Sequence, residues 1–152
     1  YNIYVEIVLY KPEIAGNVGA CIRLSANTGL ALNLIKPFGF SFQENKIRRA
    51  GLDYHDLASV SVVENWNNFY NENKDKKICF LSVKGSQNIW DANLNEYDYM
   101  IFGPESVGLP DDILELQYET LSIPMNENSR SINLANAVSI VSYEFLRQNY
   151  KN

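Results

Sequence analysis

Three stretches punctuated by glycine and proline hold most of the side chains in this sequence that could do chemistry. In KPEIAGNVGACIRL (11–24), Pro12 and Gly16 interrupt an apolar run, Asn17 stands in an N-cap position for the helix that follows, and Arg23 lies six positions later among apolar and small residues. Gly16 and Gly19 fit either a ligand approaching the helix N-terminus or ordinary capping. Arg23 either points inward, where it needs a partner, or reaches solvent along its stem. In FGPESVGLP (102–110), Gly103, Pro104, Gly108 and Pro110 frame Glu105 and Ser106 in a rigid turn that presents main-chain amides and carbonyls. Glu105 there accepts hydrogen bonds from a ligand, orients Arg23, or ties the loop together. IPMNENSRSINLANAVS (123–139) supplies Ser129, Ser131, Asn133 and Asn136 as neutral hydrogen-bonding groups, with Arg130 among them. Ser131 or Asn133 would also serve as a helix N-cap in any protein. Such groups suit an adenine-containing ligand read largely by backbone contacts. Tyr143, further along the same helix, either reaches the site or packs.

Other chemistries find little support. His55 is the single histidine, so a His-rich metal centre or a Ser-His-Asp triad must use it, and RAGLDYHDL has no ligand spacing. A structural or surface role is expected for it, and no metal. Cys21 and Cys79 form no CxxC pair, and two buried, reduced thiols in a cytoplasmic protein are expected. Gly16 and Gly19 do not make GxGxxG, and Ile35-Lys36-Pro37 stands where a dinucleotide fold places an acidic residue.

The elements that must position these loops alternate. Apolar strand-like runs fall at 3–10, 30–35, 59–63, 77–83, 98–102 and 120–124. Helical patterns fall at 17–28, 43–49, 65–73, 111–117 and 132–148, the last with Leu134, Val138, Val141 and Phe145 at helical spacing. Strands that are mostly apolar rather than alternating imply burial on both faces, so the expected fold is α/β with a largely parallel sheet flanked by helices. Ligand sites in such sheets lie beyond the carboxyl ends of the strands, which is where the three loops fall. At 152 residues and 46% apolar, the chain reads as a single domain over 1–152 with no appended RNA-binding domain. No run approaches the ~20 apolar residues that cross a bilayer, so no membrane partner is expected.

The net charge of −5 argues against a freestanding polyanion binder. Its distribution softens that conclusion: residues 1–55 carry six Lys+Arg against four Asp+Glu, residues 56–152 seven against fourteen. The cluster KIRRAGLDYHDL either binds phosphate through Lys46, Arg48 and Arg49 or is a solvated helix face.

LYKPEIAGNVGACIRLSANTG, RRAGLDYHDL, FGPESVGLP and IPMNENSRSINLANAVSIVSYEFLRQ, taken in this order and spanning nearly the whole chain from Ile7 to Gln148, resemble the SPOUT class of RNA methyltransferases. Within it they are most similar to the small enzymes that methylate the ribose 2′-hydroxyl of the tRNA wobble nucleotide. The resemblance implies a C-terminal segment threaded as a trefoil knot, an obligate homodimer, and S-adenosylmethionine as methyl donor, released as S-adenosylhomocysteine. The implied substrate is the wobble cytidine or modified uridine of leucine-type tRNA. Alternatives are another RNA such as ribosomal RNA, or an RNA-binding module that keeps the fold without catalysis. By the same resemblance Leu81, Gly103, Pro104, Ile123, Met125, Ser131 and Leu134 contact the cofactor. Arg23, Asn17, Glu105 and Asn133 match catalytic or site-organising positions, and Tyr143 matches one implicated in this branch. Lys46, Arg48, Arg49 and Arg130 are the expected RNA contacts. Ala15-Gly16 stands in place of the usual Pro-Pro and Val18-Gly19 in place of Thr-Gly, changes that alter loop stiffness more than chemistry. A guanidinium stays protonated throughout the working pH range and is a poor base, so Arg23 is expected to position the target phosphate and hydroxyl and to stabilise the alkoxide.

Overall fold

The computed structural model describes residues 4–41, 52–53, 55–116 and 118–150. Its strands are β1 (Glu6–Tyr10), β2 (Leu32–Ile35), β3 (Val60–Val63), β4 (Ile78–Leu81), β5 (Gln87–Asn88), β6 (Tyr99–Phe102) and β7 (Glu119–Ser122). The helices are α1 (Ala15–Thr28), α2 (Trp66–Glu72), α3 (Asp111–Leu114) and α4 (Leu134–Asn149), with a short 3-10 turn at Leu94–Glu96. The strands form one seven-stranded sheet in the order β3-β2-β1-β6-β4-β7-β5. Every pairing in it is parallel.

Burial on both faces explains why the strands read as apolar runs instead of alternating. Ile7 and Leu9 of β1 join Leu32 and Leu34 of β2 beneath α1 and α4, while Val8, Tyr10 and Ile35 turn to the opposite face with Phe69 of α2 and Ile113 of α3. Residues two apart share a face, and both faces are dry. α4 docks through Leu134, Val138, Val141 and Phe145, the spacing expected from its sequence. Burying each such side chain contributes roughly 1.5–3 kcal/mol, so α4 is held by packing more than by helix propensity.

Several elements differ from the sequence reading. α1 begins at Ala15, two residues earlier than Asn17 suggested, and its N-cap Ile14 supplies no side-chain hydrogen bond. α3 is four residues long instead of seven, and the two-residue strand β5 and the Leu94–Glu96 turn had no legible pattern. The helix expected over 43–49 lies outside the described residues.

Cys21 and Cys79 are free and buried. Burial pushes the Cys21 thiol up to about 12 and raises Cys79 as well. Both should therefore resist alkylation in the folded protein at neutral pH, where the thiolate is scarce, and react on denaturation. Mass spectrometry after an iodoacetamide pulse measures this; rapid labelling of the native protein would contradict the buried geometry.

Candidate functional site

The strand order decides where the loops go. β1, β6, β4 and β7 are consecutive neighbours in the sheet, so the segments leaving their carboxyl ends converge although they lie far apart in sequence. Between them is a cavity of about 580 Å³. That volume falls within the ~300–1,000 Å³ typical of small-molecule sites.

The cavity gathers most of the expected residues. Leu81, Gly103, Pro104, Ile123, Met125, Ser131 and Leu134 line it, and so do Asn17, Glu105, Asn133 and Arg130. Its lining also includes Ile14, Ser82, Val83, Lys84, Phe102 and Ser106, which fill the gaps between the motifs. Arg23 and Tyr143 do not line it. Lys46, Arg48 and Arg49 lie outside the described residues.

A hydrogen-bonded network fixes the cavity wall. Glu105 Oε1 accepts the Glu13 backbone N–H at 2.7 Å, while Oε2 accepts the Ile14 N–H at 2.9 Å and the Asn17 side-chain amide at 3.1 Å. The carboxylate therefore stands at the start of α1 and does the work its N-cap side chain cannot. Asn17, on the first turn instead of at the cap, passes the connection on: its Oδ1 accepts the Asn133 amide at 3.1 Å. Asn133 caps α4 by accepting the Asn136 N–H at 3.2 Å. Thus Glu105, Asn17 and Asn133 link the loop after β6 to the N-termini of α1 and α4. Glu105→Ala removes the acceptor of three donors and should lower stability by about 2–4 kcal/mol, measured by denaturant unfolding. Wild-type stability in that variant would mean that water replaces the carboxylate without loss.

A second carboxylate runs the opposite way. Glu13 accepts the Ser106 backbone N–H at 2.7 Å and the Ser106 hydroxyl at 2.9 Å. These two bonds, the backbone one first, hold the Glu13 carboxyl below its ordinary 4.5. A lowered carboxylate stabilises the fold above its unfolded value and loses that contribution as pH falls through the folded value, so the contact is complete at neutral pH and fails only in acid. Sequence reasoning named Ser106 but passed over Glu13, whose only signal is an acidic residue just ahead of a helix that has no cap of its own.

Arg23 has a different carboxylate partner from Glu105. Its guanidinium lies 3.4 Å from Asp56, whose side chain is mostly buried. Asp56 in turn accepts the Asp53 N–H at 2.9 Å, and Asp53 accepts the Asp56 N–H at 3.0 Å, a reciprocal turn inside RAGLDYHDL. Six residues along α1 place Arg23 about 9 Å beyond Asn17 and on another face of the helix. His55 is exposed, as a surface role requires. Among the described residues no three His, Cys, Asp or Glu side chains are grouped to hold a metal ion, and no helix is long and apolar enough to cross a membrane.

The arrangement matches a known group of proteins over nearly its full length. The profile of the SpoU rRNA Methylase family matches residues 4–143. A tRNA (cytidine(34)-2′-O)-methyltransferase of Saccharophagus degradans is 46% identical over 145 residues, covering 94% of each chain. One of the same name from Escherichia coli K12 is 42% identical over 146 residues, covering 95% of this chain and 93% of that one. A solved structure described as giving structural insights into the 2-OH methylation of C/U34 on tRNA superposes with a TM-score of 0.87 at 38% identity, covering 95% of both chains. Sequence and fold agree along the same residues that build the cavity, and the chain belongs to the SpoU methylase family.

Proposed function

We propose that this protein transfers a methyl group from S-adenosylmethionine to the ribose 2′-hydroxyl of the wobble nucleotide, cytidine or a modified uridine, in tRNA. The observation that carries this reading is identity of 42–46% over nearly the whole of relatives bearing that activity in their names, and the cavity lining from Ile14 to Ala137 falls within the residues 4–143 that the family profile matches. The cavity fits the cofactor. Leu81, Phe102, Leu109, Ile123 and Leu134 give it apolar walls suited to an adenosyl group, and its one lining carboxylate, Glu105, is already committed to three donors. When bound, S-adenosylmethionine supplies an electrophilic methyl on a sulfonium whose positive charge disappears as the methyl departs. A weakly polar wall suits that loss of charge.

The protein's own residues do the rest. Asn17, Glu105 and Asn133 hold the helix starts around the cavity in one geometry, and holding reactants in line is worth roughly 7–11 kcal/mol of barrier when the geometry is near attack. Arg23, oriented by Asp56, binds the target phosphate and stabilises negative charge as it develops on the ribose oxygen. The reading also carries the homodimer. Arg23 and Tyr143 lie off the cavity of their own chain and are about half exposed, at 48% for the Arg23 side chain and 53% for Tyr143, with Ile140 exposed beside Tyr143 on α4. A two-fold arrangement through α1 and α4 supplies these side chains to a partner's cavity.

Protein, labelled S-adenosylmethionine and bulk tRNA lacking ribose methylation provide the test, with the labelled nucleotide mapped. Label on the wobble ribose supports the reading; label on a base, or none in the anticodon loop, overturns it, and ribosomal RNA run in parallel covers the substrate in the family's name. RNA contact rests on Arg23, Arg130, Lys46, Arg48 and Arg49 in an acidic chain, so log Kd for tRNA against log salt should have a shallow slope. Each phosphate contact contributes about 0.7–0.9, and the total for these five residues should not exceed about 3.5–4.5 per site. A slope near 8 would point to a large basic footprint that this composition does not offer.

A further inference from the structure

We infer that Lys84 and Asp111 hold the amino-acid end of S-adenosylmethionine at the cavity mouth, Lys84 on its carboxylate and Asp111 on its ammonium, an inference that rests on the function proposed above. The cavity is graded in polarity. Leu81, Phe102, Leu109 and Leu134 form a buried apolar wall, whereas the charged residues of the lining are Lys84, Glu105 and Arg130, of which the two cations are exposed. An adenosyl group fits the buried wall, and a zwitterion stays where water and charged groups reach it. The methionine moiety therefore ends among those charged side chains. Glu105 already holds the start of α1 through three donors, and Arg130 offers one sign of charge. Lys84 brings the opposite sign with it: its Nζ lies 3.1 Å from Asp111 Oδ1.

The backbone under the pair is fixed. Lys84 belongs to the turn after β4, where its N–H donates to Ser82 Oγ at 3.1 Å and the Gly85 N–H donates to the Ser82 carbonyl at 3.0 Å. The same turn is pinned to β7, because the Ser82 N–H donates to the Leu121 carbonyl at 2.9 Å and a Cβ built on Gly85 would stand 2.5 Å from the Leu121 carbonyl carbon. Only glycine allows that approach. Asp111 opens α3 just after the loop from 103 to 109 that forms another wall, so the ion pair spans the segments leaving β4 and β6. Asp111 does not itself line the cavity; Lys84 does. With side chains 66% and 79% exposed, the pair contributes little to stability through screened attraction. Its two charges remain available to a ligand. The carboxylate and ammonium of the methionine moiety leave one carbon atom, so they are close together and opposite in sign, as Lys84 and Asp111 are. Each ligand charge meets its complement, and the cofactor is told from adenosine compounds that lack an amino-acid end.

Calorimetric titration tests this with S-adenosylhomocysteine, which carries both charges, decarboxylated S-adenosylmethionine, whose side arm keeps the ammonium and lacks the carboxylate, and 5′-methylthioadenosine, which has neither. Lys84→Ala should weaken S-adenosylhomocysteine by about fivefold to tenfold and leave the other two compounds no weaker than with wild type, the loss being modest because the site is exposed. Asp111→Asn should weaken decarboxylated S-adenosylmethionine by a similar factor and leave 5′-methylthioadenosine unchanged. Lys84→Arg keeps the cation and should hold S-adenosylhomocysteine within about threefold of wild type. Equal loss for all three compounds in Lys84→Ala would mean that the turn had shifted instead of a charge being removed, and unchanged affinity for S-adenosylhomocysteine would mean that the carboxylate lies elsewhere; either result overturns the assignment. Weaker tRNA binding by Lys84→Ala with S-adenosylhomocysteine unaffected overturns it too, because Lys84 would then belong to the RNA. Failure of wild type to bind S-adenosylhomocysteine at all would instead overturn the methyltransferase reading, which keeps the two failures separate.

Discussion

Arg23→Ala is expected to lower the single-turnover rate of tRNA methylation by about 10²–10³-fold while leaving the affinity for S-adenosylhomocysteine within about twofold of wild type. The split follows from position. Arg23 does not line the cavity of its own chain and stands apart from the residues expected at the cofactor, and its guanidinium is oriented by the mostly buried Asp56 at 3.4 Å. A guanidinium carries its charge throughout the working pH range and offers donors but no acceptor, which leaves charge stabilisation as the chemistry of Arg23. Arg23→Lys should recover little, because a point charge cannot reproduce a planar fork that serves Asp56 and a phosphate together. An Arg23→Ala enzyme with unchanged single-turnover rate would remove Arg23 from the reaction.

Gly103→Ala is the second large effect, and it falls on the cofactor instead. A Cβ on Gly103 would stand 2.3 Å from the Leu109 nitrogen and 2.5 Å from the Gly108 carbonyl carbon, both main-chain atoms of its own loop. No flexible side chain is available to give way. The loop from 103 to 109 must open, and Glu105 and Ser106 travel with it, so the contacts to Glu13, Ile14 and Asn17 are strained together. A displacement of order 1 Å at a site that holds reactants in line costs about 10²-fold, and that loss is expected in both methylation rate and S-adenosylhomocysteine affinity. Overpacking of this kind also costs about 1–3 kcal/mol of stability, visible as a lower melting temperature. Wild-type binding by Gly103→Ala would show that the loop tolerates a more open course.

The site was legible in the sequence to different depths. Leu134, Val138, Val141 and Phe145 announced α4 because helical spacing is local, and FGPESVGLP announced a rigid turn because glycine and proline constrain the backbone wherever they stand. That the loops would meet above the sheet followed from parallel strands, and the cavity contains all seven residues expected at the cofactor. The partners of those residues were another matter. Asn17 resembled an N-cap because caps favour asparagine, but the start of α1 is satisfied from a distance by Glu105, and no local rule sees a carboxylate 92 residues away. For the same reason Asp56, and not Glu105, is the acid beside Arg23, and Glu13 went unnoticed. Spacing reveals what a residue can do; the sheet order determines which residue it does it with.

That sheet order also governs when the molecule can come into being. β1 is flanked by β2 on one side and by β6 on the other, with Glu6 opposite Tyr99. A ribosome adds roughly 5–20 residues per second, so β1 and α1 spend several seconds beside β2 alone, with one apolar edge and one helix face waiting for strands not yet made. The cavity cannot exist before Leu134 emerges, since its walls run from Ile14 to Ala137. Long-range parallel pairing makes folding slow and leaves nascent chains exposed to aggregation. For this protein, expression at low temperature or with a holdase chaperone should therefore raise soluble yield more than added S-adenosylmethionine does, because the donor has nothing to bind until the chain is nearly complete.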